Sequence, residues 1–199
     1  MKFKDWINYK FPLNELMQGG SSMDGSDSPV IHPIGLAPQL CRPDVFLKKV
    51  NDFPVDNLNA NLCHNGHVRD WCSYNTENRI EKLKEINKHD FIKSYDSDYG
   101  QKRVKLAEYT DSFLSHKFVC SPEGNGIDCH RHYEILLCKG IAILQVPDEK
   151  YSLKRWGQNS FMDKYDDLPV LWTKDYSDLS AELLNSTYEK FLEKEFNFE

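Results

Sequence analysis

The residues with the most chemistry to offer lie within residues 117–144, KFVCSPEGNGIDCHRHYEILLCKGIAIL. Here an apolar stretch runs into a polar loop with two glycines, then into the pair His130 and Arg131 at the expected start of a helix. Backbone amides that end a glycine-rich loop and open a helix have no intrahelical partner, and the helix dipole adds positive potential there, so such a turn is a seat for an anion. Arg131 can give a phosphate two parallel hydrogen bonds and His130 can give one, which would stabilise charge on a departing diphosphate. Ser121, Asn125 and Gly126 are the expected phosphate loop, and Asp128 is expected to order it as a helix cap. Glu134 follows Arg131 by three residues, hence on nearly the same helix face, where a carboxylate can take sugar hydroxyls. A hydroxyl-binding carboxylate beside a phosphate-binding cation suits a nucleotide sugar.

Hydrophobic patterning shows what must position these residues. Residues 58–63 alternate like a strand, Ile80, Leu83 and Ile86 share a helix face, and residues 90–95 form a short apolar segment. Residues 104–114 are helical in spacing, and the 117–144 unit then reads strand, helix closed by Gly140, strand. PVLWT at 169–173 reads as a last buried strand, and Leu179, Leu183, Leu184, Tyr188, Phe191 and Leu192 mark a closing amphipathic helix. Strands separated by helical stretches imply an α/β fold: a single Rossmann-like domain with a parallel sheet flanked by helices. Ligands of such sheets bind where the loops after the strands gather, so the loops at 63–75 and 121–128 should line one cleft. Residues 1–29 read as an N-terminal extension with a flexible Gly/Ser/Asp loop, and 30–199 as the nucleotide-sugar-binding domain. Trp156, Phe161 and Tyr165 are expected to cover a hydrophobic edge.

Bulk properties narrow the class. A chain of 199 residues with 40% hydrophobic content can bury one core. The formal charge of −6, with acidic residues spread along the chain, argues against general nucleic-acid binding. No segment approaches the roughly 18 apolar residues of a membrane span, and the charged start with Pro12 is unlike a signal sequence, so a soluble, cytoplasmic protein is expected. Six cysteines without an export signal read as reduced thiols. Cys63, His64, His67 and Cys72 are zinc-capable but lack paired CxxC knuckles, and no metal is expected.

The block SPEGNGIDCHRHYEILLCKGIAIL resembles the SPRGNGxDxHRxWEALxxGxIPIV block of a group of bacterial and viral glycosyltransferases, related to exostosin-type and ribitol-xylosyltransferase-type domains. IHPIGL, NANLCHN and DKYDDLPVLWTKDYSDLS resemble further segments of that family. The resemblance implies a domain like the C-terminal, donor-binding half of a GT-B glycosyltransferase. It places ribose binding on Glu134 and the diphosphate on residues 125–128 with His130 and Arg131. The donor would be a nucleotide sugar, with a UDP-sugar favoured, the acceptor a glycan or protein, and no divalent metal would be needed. Glu123 stands where the family usually has Arg, and Ile135, Lys139 and Ala142 also depart from the pattern. About fifty residues precede the first clear strand, so the acceptor site is expected within a compact single domain or from a partner chain. His64, His67 and Asp70 are the candidates for a general base. Two rival readings stand beside this one: a metal-dependent GT-A-type transferase using Asp96 and Asp98, and a nucleotide-sugar-binding or interaction module without turnover.

Overall fold

The computed structural model describes residues 1–11, 43–68, 76–94, 104–124, 129–147 and 162–197. Its elements, in chain order, are α1 (Phe3–Asn8), α2 (Pro43–Asp52), β1 (Asn61–His64), α3 (Thr76–Asn87), β2 (Ile92–Lys93), α4 (Leu106–Leu114), β3 (His116–Cys120), α5 (His130–Leu137), β4 (Ile141–Gln145), β5 (Val170–Thr173) and α6 (Ala181–Glu193). The five strands form one all-parallel sheet in the order β2-β1-β3-β4-β5. The fold is therefore α/β and Rossmann-like, as the alternation of strand and helix predicts.

The central strands are the most apolar. Phe118, Val119 and Cys120 of β3 and Ile141, Ala142 and Ile143 of β4 are fully buried, which is what a parallel strand covered on both faces requires. Register is set by the pairs Cys63 with Phe118, Cys120 with Ile143, and Ala142 with Val170. Helix α4 packs on β3, α5 on β4, and α6 on β1. Helix α6 starts cleanly because the Ser180 hydroxyl accepts the Leu183 amide at 3.1 Å. Its Leu184, Thr187 and Tyr188 then recur at the spacing of one buried helical face.

Two expectations are corrected. Residues 1–11 are part of the core rather than an extension to it: Phe3 and Trp6 are buried, α1 packs on α6, and Trp6 Nε1 donates to the Leu136 carbonyl at 3.3 Å. The Gly/Ser/Asp loop that follows lies outside the described residues. Second, the residue that ends α5 in the left-handed region is Lys139, with φ of 62°, not Gly140. The amide of Gly140 returns to the Ile135 carbonyl at 3.1 Å and that of Lys139 to Leu136 at 2.9 Å, a Schellman-type close. Lysine is held there because its buried ammonium donates to the carbonyls of Ile7 (2.9 Å) and Tyr9 (2.6 Å), tying the N-terminal segment to α5. Burial and the nearby Lys10 push this ammonium down to about 8. Gly140 is needed for space, since a Cβ would meet Ile135 Cγ2 at 3.2 Å.

Candidate active site at the β1/β3 switch point

Strand order fixes where a crevice can form. From β1 the chain crosses to β2 on one side, then returns to place β3 on the other, so the loops after β1 and β3 diverge from neighbouring strands. In open α/β sheets this topological switch point is where ligands bind. The residues that follow those two strands are 65–68 and 121–124, and the second set leads to α5.

The first loop is shaped by its own side chains. Asn65 Oδ1 accepts the His67 amide at 3.1 Å, and His64 Nδ1 accepts the Gly66 amide at 2.9 Å. Gly66 has φ of 77°, and a Cβ on it would stand 2.2 Å from the Cys120 carbonyl oxygen and 3.3 Å from Arg131 Cδ. Only glycine allows this backbone to lie against the end of β3 and under the Arg131 stem.

Arg131 therefore sits over the junction of the two loops. It is half-buried, its Nε is buried without a hydrogen-bond partner, and among the described residues no carboxylate forms an ion pair with it. Burial opposes its charge, but Tyr109, Cys129 and Glu134 outweigh that and hold the guanidinium protonated. Helix α5 has no acidic residue in its first turn, its N-cap residue, Cys129, makes no side-chain cap, and the His132 amide returns to the Cys129 carbonyl at 3.0 Å. Asp128, expected to order the loop or the helix start, precedes the N-cap residue Cys129 in sequence. It lies outside the described residues, as do Asn125 and Gly126. His130 is half-buried at the first helical position. Ser121 is 1% exposed, its amide donates to Ile143 O at 2.9 Å, and its Oγ is buried without a partner.

Glu134 is placed differently from a solvent-facing ribose ligand. It is 4% exposed, and its Oε2 accepts the Tyr109 hydroxyl at 2.5 Å. Burial first, then the Glu134 carboxylate, raises the Tyr109 phenol well above its usual range, so it remains a donor. Tyr109 is a site residue that sequence reading missed. Its only trace is the spacing of Tyr109 and Phe113, whose rings pack 4.3 Å apart on the inner face of α4.

Glu123, which stands where the family pattern has Arg, turns toward α3. Its carboxylate takes Lys82 Nζ at 2.7 Å and Asn78 Nδ2 at 3.3 Å, while Arg79 Nη1 donates to its carbonyl at 2.6 Å. The charge of Glu123 is thus offset by α3 rather than offered to the switch point.

Three histidines cluster beside Gly66 and β3. The His64 ring is 4.4 Å from His67 and 4.9 Å from His116. Burial, then the neighbouring imidazoles and cations, lowers His64 to about 2, and burial with Arg131 lowers His67 to about 4. His116 donates from Nδ1 to the Ser112 carbonyl at 2.6 Å, which leaves Nε2 a buried acceptor without a partner. His67 Nε2 is 2.6 Å from Ser112 Oγ. All three are neutral at pH 7. Among the described residues no group of three His, Cys, Asp or Glu side chains is arranged to hold a metal. Cys63 turns away from the histidines, its Sγ 3.9 Å from Cys120 Sγ, and Cys63, Cys120, Cys129 and Cys138 are free thiols. Asp70, Cys72, Asp96, Asp98, Trp156 and Phe161 lie outside the described residues. Tyr165 is buried at the edge of β5 against Trp172, as expected of a covering aromatic.

No family model matches this sequence, and no curated protein is significantly similar to it. Among the described residues no helix is long and apolar enough to cross a membrane.

Proposed function

We propose that this chain binds a nucleotide-diphosphate sugar at the β1/β3 switch point and transfers the sugar to a hydroxyl acceptor, a UDP-sugar being the favoured donor. The observation that carries this reading is Arg131: a guanidinium in the first turn of α5 that forms no ion pair among the described residues, with its buried Nε lacking a hydrogen-bond partner and its stem lying over Gly66. A guanidinium in the first turn of a helix can take a diphosphate as its counterion. The resemblance of residues 121–144 to a glycosyltransferase block supports the same class of donor. In the transfer step, Arg131 and the α5 amides would take up charge developing on the leaving phosphate, with His130 beside them. Glu134 would reach the ribose only by exchanging Tyr109 for a ribose hydroxyl, so Tyr109 is assigned as the residue that holds that carboxylate until donor arrives.

A second reading, a nucleotide-sugar-binding module without turnover, is favoured by one observation. The histidines nearest the crevice, His64 and His67, have proton affinities far below that of an efficient general base at neutral pH. The test is release of UDP from UDP-sugars by the purified chain, with and without glycan acceptors. Acceptor-dependent release supports transfer. Binding without release supports the module, and no binding of any nucleotide sugar removes both.

A further inference from the structure

We propose that Asn78, Arg79 and Lys82 of α3 form a phosphate subsite that the chain's own Glu123 occupies, so that this carboxylate competes with incoming anions. All three side chains converge on residue 123. Lys82 Nζ donates to Glu123 Oε1 at 2.7 Å, Asn78 Nδ2 donates to the same oxygen at 3.3 Å, and Arg79 Nη1 donates to the Glu123 carbonyl at 2.6 Å. Lys82 follows Asn78 by four residues and Arg79 by three, so the three share one side of the helix. The donors are built into the fold rather than spread over its surface: Arg79 is 7% exposed and the Lys82 side chain 14%.

The carboxylate satisfies this donor set only in part. Its Oε1 takes both Lys82 and Asn78, while Oε2 takes no hydrogen bond among the described residues. The contact of Arg79 with residue 123 is to an uncharged carbonyl, and Lys82 has no other ion-pair partner among the described residues. A phosphate group brings three acceptor oxygens, one for each donor, and hydrogen bonds from ammonium and guanidinium groups to its charged oxygens are stronger than those to a neutral carbonyl. Glu123 is therefore a monodentate stand-in where a phosphate would fit more fully.

Gly124 sets the subsite beside α5. A Cβ on it would stand 3.8 Å from Arg79 Nη1 and 3.6 Å from Cys129 Cβ, so one glycine lies between the Arg79 guanidinium and the N-cap residue of α5. The subsite stands on α3 and residue 123 and does not need the nucleotide-sugar reading.

Calorimetric titration of the full chain with inorganic pyrophosphate at low ionic strength tests this. Glu123→Gln keeps the size of the side chain and an acceptor oxygen for Lys82 and Asn78 but removes the competing charge. Its Kd for pyrophosphate is expected to be at least about ten-fold below that of the wild-type chain, the scale of one hydrogen bond to a charged group. The gain should vanish in Glu123→Gln/Lys82→Met. It should persist when Arg131→Ala is compared with Arg131→Ala/Glu123→Gln, which separates this subsite from the crevice at Arg131. Equal Kd values for wild type and Glu123→Gln, a gain that survives Lys82→Met, or a gain that disappears with Arg131→Ala would each overturn the proposal. Should Glu123→Gln fail to fold, Glu123→Asp withdraws the carboxylate by one methylene and is expected to give a smaller gain in the same direction; no gain there would count equally against the subsite.

Discussion

Gly66→Ala tests the contact on which the site geometry rests. The added methyl meets two costs that can be worked from the structure. At φ of 77° an alanine is in the left-handed region, a penalty of about 1 kcal/mol. The Cβ would also approach the Cys120 carbonyl oxygen to 2.2 Å, and this oxygen belongs to β3, which is paired on both sides in the sheet and cannot yield as a surface side chain would. Relief requires the 65–68 loop to lift, an overpacking cost of about 1–3 kcal/mol. The expected loss is therefore about 2–4 kcal/mol, which at a typical urea slope of about 2 kcal/mol/M moves the midpoint down by about 1–2 M. Because the same Cβ presses on the Arg131 stem at 3.3 Å, nucleotide affinity should fall beyond what residual unfolding explains. Urea unfolding read by circular dichroism measures the first effect and calorimetry below the transition the second. A loss under about 0.5 kcal/mol would mean that the loop does not lie against β3, and the described crevice would be wrong.

Three further perturbations probe the surroundings. Tyr109→Phe leaves the buried Glu134 carboxylate without its donor and should cost about 1–3 kcal/mol, much of it recovered in the double variant with Glu134→Leu; additive losses in a urea double-mutant cycle would refute the pairing. His64 has a folded-state midpoint near 2, below the unfolded 6.5, so the folded form resists protonation; its contribution is fully present above pH 6.5 and is lost as pH falls through the window toward 2. Between pH 7.5 and 5 it should remove about 2 kcal/mol, and His64→Gln should flatten the stability–pH curve by that amount; an unchanged slope contradicts the burial of a neutral imidazole. Lys139→Met removes both ammonium hydrogen bonds to Ile7 and Tyr9 and should cost about 1–3 kcal/mol while speeding proteolysis within residues 1–11, whereas unaltered protection would show that the segment is held by Phe3 and Trp6 alone.

Much of the fold was legible because its signals are local and strong. The apolar runs of β3 and β4 and the leucine spacing of α6 each name one secondary structure, and alternation of strands with helices dictates a parallel sheet. Strand order was not legible, since nothing in the short β2, only Ile92 and Lys93, says which side of β1 it takes. The role of residues 1–11 was hidden for a related reason: Phe3 and Trp6 are too few to reveal a helical period, and their partners on α5 and α6 are more than a hundred residues away. At the site, His130 and Arg131 were visible as a helix start. Tyr109 could not be found from sequence because its partner Glu134 belongs to another helix. Lys139 was misread because left-handed helix ends usually favour glycine, and only the distant carbonyls of Ile7 and Tyr9 make lysine suitable there.

The most direct measurement is calorimetric titration of UDP into the wild-type chain and into Arg131→Ala. Loss of a charge-assisted hydrogen-bonding group should weaken binding by about 1.5–3 kcal/mol, a rise in Kd of about 10- to 150-fold. Equal Kd values for the two proteins would contradict the placement of the diphosphate at the β1/β3 switch point.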